Sequence, residues 1–343
     1  MKKNKIKYLL LASIALLSAC STKLDVTGKY KETMVVYGLL DQSQSVQYIK
    51  VNKAFLGQGS AVGYAQVKDS TQYVNSLNVK LKKLSDGTEY NLAPDNTIPK
   101  DPGAFYSPDQ SNVIYTFNSV GSAALDANSQ YQLIITNNET ATQVSSQTSL
   151  ISDATITSPV SGTPFFTIIF SNNDNYVFPV RWNSGQNAKM YQVTIRLNYI
   201  DSTTTGNIVQ KLDWVFPEQT TQGLSGQEQL QSDFIGQGFM KFVGNQLKSY
   251  SGLTARRALN VDIILVAGGN ELNTYIEVNK PSISIAQQKP VFTNINNGLG
   301  VFSSRYTKPP FSKPMSKATW DSLACGRYTW NLKFLNHAGA TCQ

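Results

Sequence analysis

The 343 residues contain one histidine, His337, and three cysteines, Cys20, Cys325 and Cys342. These four side chains bound the chemistry open to the chain. A Ser-His-Asp or Cys-His mechanism would have to use His337 as its base, and no motif around it marks a nucleophile. One histidine and two C-terminal thiols fall short of the four ligands that a structural zinc takes. Calcium needs clustered carboxylates and carbonyls. The nearest stretch, Asn172-Asn173-Asp174-Asn175, offers a single acid and reads as a turn. Gly268-Gly269 and Gly298-Leu299-Gly300 lack the strand-to-helix setting of a phosphate loop and read as turns as well. Carboxylates paired in space for glycoside cleavage leave no sequence mark, and nothing favours them. The expectation is a protein with no catalytic residue, metal or cofactor, which works by binding.

Cys20 has different surroundings. Lys2, Lys3, Lys5 and Lys7 precede an apolar run from Tyr8 to Leu17, too short to span a bilayer, and the run ends in Leu17-Ser18-Ala19-Cys20. This box resembles the lipobox of bacterial lipoproteins, in which the cysteine is acylated and becomes the first residue. Residues 1–19 are then a signal peptide, and 20–31, small and polar, a lipidated tether. The resemblance implies a membrane contact made through lipid at Cys20. Loss of the leader removes four lysines and halves the formal charge from +8 to +4. The remaining basic residues are scattered, which argues against a nucleic-acid partner.

The elements that must position any site are strands. Only 15% of the residues are charged, and 17 tyrosines and 15 phenylalanines suit pleated, half-buried faces. In LNVKLKKL (77–84), Leu77, Val79 and Leu81 alternate with Asn78, Lys80 and Lys82, the period of a strand with one wet face. Segments 33–40, 46–56, 113–117, 131–137 and 141–151 read likewise, and Asp86-Gly87 marks a hairpin. Residues 32–152 are expected to form an N-terminal β-sandwich.

A second unit is expected over 153–306. In VFPVRWNSGQNAKMYQVTIRLNYI (177–200), a tryptophan strand, a polar turn and an alternating tyrosine-led strand resemble the B–C hairpin of fibronectin type III-like sandwiches. KLDWVF (211–216), ALNVDIILVAGG (258–269) and LNTYIEV (272–278) read as further strands. One helix interrupts them near 236–248, where Phe239, Met240, Val243 and Leu247 share a face. The predicted fold class is therefore all-β, two tandem immunoglobulin- or fibronectin III-like sandwiches, the second with one inserted α-helix. Residues 307–343 read as a C-terminal tail. A disulfide between Cys325 and Cys342 would close it; the alternative is two free thiols.

Residues 274–306 combine strand residues, two prolines, a polar run and an Asn297-Gly298 turn before GVFSSRY. One reading is a structural return loop. The other is a binding edge built from Phe292, Phe302, Arg305 and Tyr306, residue types enriched at interfaces. With VVYGLLD (35–41), YIKVNKAFLG (48–57), KDPGAFYS (100–107) and CGRYTW (325–330), this segment resembles the Bacteroidota lipoprotein family known as domain of unknown function 4249. The resemblance implies an outer-membrane address and a β-barrel partner, and names no activity. Ser21 after the lipid cysteine agrees with the outer membrane, while the face of that membrane stays open. D-S-T at 69–71 and 201–203 and D-S-L at 321–323 resemble the O-glycosylation sequon of the same phylum, with Ser70, Ser202 and Ser322 as acceptors. The function expected is that of an anchored lipoprotein that binds a protein as an accessory to a barrel system. The alternative is a glycan- or nutrient-binding surface lipoprotein presenting Tyr106, Trp214, Trp320 or Trp330.

Overall fold

The chain is described by a computed structural model for residues 33–54, 63, 67–73, 75–99, 112–160, 177–280 and 291–342. It is mostly β, with one large sheet and a smaller second one, in a sandwich-like arrangement. Alternation builds the first half. Strands β1 (Met34–Asp41), β2 (Val46–Lys53), β3 (Leu77–Lys83), β4 (Glu89–Asp95), β5 (Ile114–Asn118), β6 (Gln130–Asn137) and β7 (Gln143–Ser149) point Met34, Val36, Ile49, Val79, Leu81, Leu133 and Ile135 into one apolar core. The turn at Asp86-Gly87 forms as its residues dictate. Gly87 sits at φ +78, and the Asp86 carboxylate accepts the Thr88 amide at 2.9 Å. β4 is shared between layers: Val79 to Lys82 of β3 pair with its first half, and β5 with Ala93 to Asp95.

The second half contains β8 (Thr155–Ser158), β9 (Val177–Asn183), β10 (Met190–Thr203), β11 (Gly206–Val215), β12 (Gln219–Thr220), β13 (Gln229–Ile235), β14 (Leu253–Gly268), β15 (Leu299–Thr307) and β16 (Phe311–Pro314). The small sheet runs β13-β9-β8 and faces β10 and β14 across a second core. β9 and β10 pair with different sheets, so the turn after Trp182 crosses the sandwich instead of closing a hairpin. Trp182 and Tyr191 meet inside it, ring centres 5.7 Å apart. Helix α1 (Gly236–Gln246) buries Phe239, Met240 and Val243 of the face that the sequence marks, while Leu247, the fourth residue expected on it, follows the helix in extended backbone.

Four expectations need correction. Residues 272–278 are not a strand: helix α2 (Asn270–Asn279) follows β14 directly. Both edges of β14 are already occupied, by β10 on one side and by β15 and β16 on the other. The next segment has no edge of β14 to join, and its backbone groups bond among themselves. Leu272, Tyr275 and Ile276 then fall at i, i+3 and i+4.

The boundary expected near 153 separates two cores but not two sheets. β15 pairs in parallel with β1 over seven residues and antiparallel with β14, so one thirteen-stranded sheet runs through both halves. Gly300 permits this pairing. Its φ is +108, and a Cβ there would strike the Val36 carbonyl. The end of the 274–306 segment, open to reading as a return loop or a binding edge, is thus from Leu299 to Thr307 a strand central to the fold.

Residues 307–343 are not a loose tail. Helix α3 (Lys317–Cys325), capped by the Ser316 hydroxyl on the Thr319 amide at 3.2 Å, brings Leu323 and Ala324 into the second core. Leu332 and Phe334 follow them. Cys325 and Cys342 form a disulfide, their Cα atoms 5.2 Å apart. A buried ion pair fastens this region: Arg256 donates to Asp201 Oδ1 at 2.8 Å, to the Leu332 carbonyl at 3.0 Å and to the Lys248 carbonyl at 2.8 Å. Tyr250 donates to the other Asp201 oxygen at 3.0 Å.

Candidate functional site

The C-terminal segment and the middle of β14 line an open pocket of about 540 Å³. Arg257 and Asn260 line it from β14, Trp320 from α3, and Leu335, His337 and Gly339 from the segment that the disulfide tethers. His337 Nδ1 lies 2.7 Å from Asp321 Oδ1, and the Asp321 carboxylate also accepts the His337 amide at 3.1 Å. These hydrogen bonds hold the Asp321 carboxyl below the ordinary carboxylate range. The pair is exposed, so the attraction is screened. The Trp320 indole N–H is buried without a hydrogen-bond partner among the described residues. The arrangement presents a partly buried indole, a guanidinium and an imidazole to one concave space. That suits a small polar ligand with a flat apolar face. Sequence reasoning set His337 aside as a lone histidine. Its carboxylate partner stands sixteen residues earlier and is brought to it only by α3.

The residues expected to form a binding edge are scattered by the fold. Phe302 is fully buried in the first core, against Gly38 of β1. Arg305 donates to the buried Asp41 carboxylate at 3.2 Å, as does the Thr307 hydroxyl. Tyr306 packs against the second core, where burial, and then the Asp153 carboxylate, push its hydroxyl up to about 12. Phe292 alone stays half-buried outside a strand. The cause is β15: alternate residues of a central strand must point into the sandwich, which withdraws Phe302 from any partner.

The other expected positions divide similarly. Cys20, Tyr106 and the Asn172–Asn175 stretch lie outside the described residues. Ser322 is no surface acceptor for a glycan, because it sits inside α3 with its hydroxyl donating to the Ala318 carbonyl at 2.7 Å. Ser202 is half-buried, and the acid of its sequon, Asp201, is locked to Arg256. Ser70 is half-exposed in the four-residue helical turn Lys68–Thr71. Trp214 is no platform: it stacks on Phe242 at 5.5 Å within an aromatic cluster that includes Phe234 and Phe239. Trp330 is exposed and Trp320 lines the cavity. Gly268-Gly269 does stand between a strand and a helix. The Gly269 amide already donates to the Ser304 carbonyl at 2.9 Å and the Leu272 amide to the Ser303 hydroxyl at 3.2 Å, so these amides are engaged within the chain.

A second surface went unread in the sequence. Tyr37 of β1 pairs with Lys50 of β2, two residues from Tyr48 on the same face. Tyr37 is 39% exposed and Tyr48 49%, and Tyr275 of α2 meets the Tyr37 ring edge-on at 6.1 Å. Burial, and then the hydrogen bond with Tyr275, push the Tyr37 hydroxyl up to about 12. The alternation of β1 marks Tyr37 as outward, but its aromatic neighbours come from another strand and from a helix.

No protein-family model and no curated protein matches the chain. Among solved structures, a cytokine receptor complex (crystal form 1A) aligns over 82% of this chain and 97% of its own, at 6% identity and a TM-score of 0.22. A likeness at that score carries no argument about fold or partner.

Proposed function

We propose that the chain is an outer-membrane lipoprotein, anchored through acyl chains on Cys20, that acts by binding a protein as an accessory to a β-barrel transport or assembly system. The observation that carries the binding reading is the row of Tyr37, Tyr48 and Tyr275 on the outer face of β1, β2 and α2. Tyrosines held on a rigid sheet offer large contact area at small entropic cost, which is why they are frequent interface anchors. In this reading they take the place of the 274–306 segment as the partner face.

Two experiments test it. Cys20→Ala is expected to abolish labelling by a clickable fatty acid and to leave the chain unprocessed or released from membranes. Unchanged labelling would remove the anchor. Separately, Tyr48→Ala and Tyr37→Ala are expected to weaken recovery of a barrel partner from detergent-solubilised outer membranes by roughly tenfold or more, as truncated interface tyrosines do. The melting temperature should move little for Tyr48→Ala. Full recovery with both variants would exclude this face.

The second reading, a glycan- or nutrient-binding surface lipoprotein, is favoured by the cavity at Trp320, Arg257 and His337. An indole face and a guanidinium are suited to a sugar ring carrying an acid group. Saccharide-array binding lost on Trp320→Ala, with barrel recovery intact, would favour it over the first.

A further inference from the structure

We propose that β11 is a self-recognition edge, through which two copies of this chain pair antiparallel about a two-fold axis at Leu212. The observation is a strand with one open side. β11 ends the large sheet, with β10 on one flank and no described strand on the other. Its ladder with β10 runs without a bulge, and no proline or glycine interrupts it from Asn207 to Val215. Edges are guarded against association by bulges, prolines or charges, and of these β11 carries only the opposite charges of Lys211 and Asp213.

The backbone fixes which residues face the opening. The Phe216 amide donates to the Val193 carbonyl at 2.9 Å, one step beyond the Thr194–Val215 pair. Hydrogen-bonded and non-bonded pairs alternate in an antiparallel ladder, so the even-numbered residues of β11 bond to β10. The amides and carbonyls of Val209, Lys211, Asp213 and Val215 therefore point to the open side. Their side chains all stand on the solvent face, with Val209 73% and Val215 53% exposed.

A second copy can satisfy these groups only in registers that set odd-numbered residues opposite odd-numbered ones. An axis at Lys211 or at Asp213 opposes like charges. An axis at residue 210 or 214 sets Lys211 or Asp213 against a valine. The axis at Leu212 sets Lys211 against Asp213 of the second copy, and Val209 against its Val215, each twice. The outward sequence Val-Lys-Asp-Val is thus its own complement, as an isologous contact requires. Lys211 has no ion-pair partner among the described residues. Asp213 already holds Arg196 at 2.6 Å and keeps oxygen lone pairs for a second cation.

The test is independent of the lipid anchor and of the tyrosine face. Sedimentation equilibrium of the full chain in mild detergent, at micromolar to near-millimolar concentration, is expected to show a monomer passing to a dimer. Lys211→Asp and Asp213→Lys are each expected to weaken dimerisation roughly tenfold or more, since each opposes like charges twice. An equimolar mixture of the two variants should dimerise again, because each like-charged pair then meets its opposite. In native membranes, a chain carrying Val209→Cys mixed with one carrying Val215→Cys should cross-link under copper-phenanthroline oxidation, while neither variant should cross-link alone. A monomer at every concentration, or cross-links that ignore this register, would overturn the proposal and leave the edge to an unlike strand.

Discussion

Phe302→Ala is expected to lower the unfolding free energy by about 3–5 kcal/mol, the cost of emptying a buried aromatic site. Phe302 has no exposed surface and lies among Met34, Val36, Ile49 and Leu133, residues of the first core drawn from three other strands. Its backbone is held as firmly, since Asn294 accepts the Phe302 amide at 2.9 Å and donates to its carbonyl at 2.6 Å. Relaxation into the cavity is therefore limited. For a chain of this size, a fall in melting temperature on the order of 10 °C follows. Phe292→Ala, at a half-buried position outside the strands, is the control and should cost far less. A Phe302 variant that unfolds like wild type while losing a partner would restore the segment as a binding edge and contradict the buried strand.

The second large effect is expected at Asp201. Asp201→Ala should cost about 3–5 kcal/mol, because it leaves the Arg256 guanidinium buried without its counter-charge. Both side chains are nearly inaccessible, at 3% and 4% relative exposure. Arg256 also ties β14 to the C-terminal segment, through the Leu332 carbonyl and through its own amide, which donates to the Lys333 carbonyl at 2.7 Å. The damage should therefore reach the cavity at His337 and Trp320 before the first core. The double variant Asp201→Leu with Arg256→Met should recover much of the loss, since a buried ion pair replaced by apolar groups of similar size is often neutral. Urea unfolding of the three proteins measures this directly. A loss below about 1 kcal/mol for Asp201→Ala would mean that water reaches the pair in solution.

Local order was legible in the residues. The alternation of LNVKLKKL, the Asp86-Gly87 turn and the apolar face of Phe239, Met240 and Val243 each depend on contacts within a few positions, and β3, its hairpin and α1 follow them.

Tertiary structure alone decided the rest. β15 reads as a return loop until β1, joined to it by the Arg305–Asp41 pair 264 residues apart in sequence, supplies its hydrogen bonds. Parallel pairing leaves no turn signature, because the connection is long. Residues 272–278 read as a strand because Tyr, Ile and Val favour sheets, and fall within a helix because β14 had no free edge left. The His337–Asp321 pair, the tyrosine row and the open edge of β11 are juxtapositions of this kind. A residue's type and near neighbours fix its propensity and its facing, whereas what stands opposite it is set by the order in which strands take their places in the sheet.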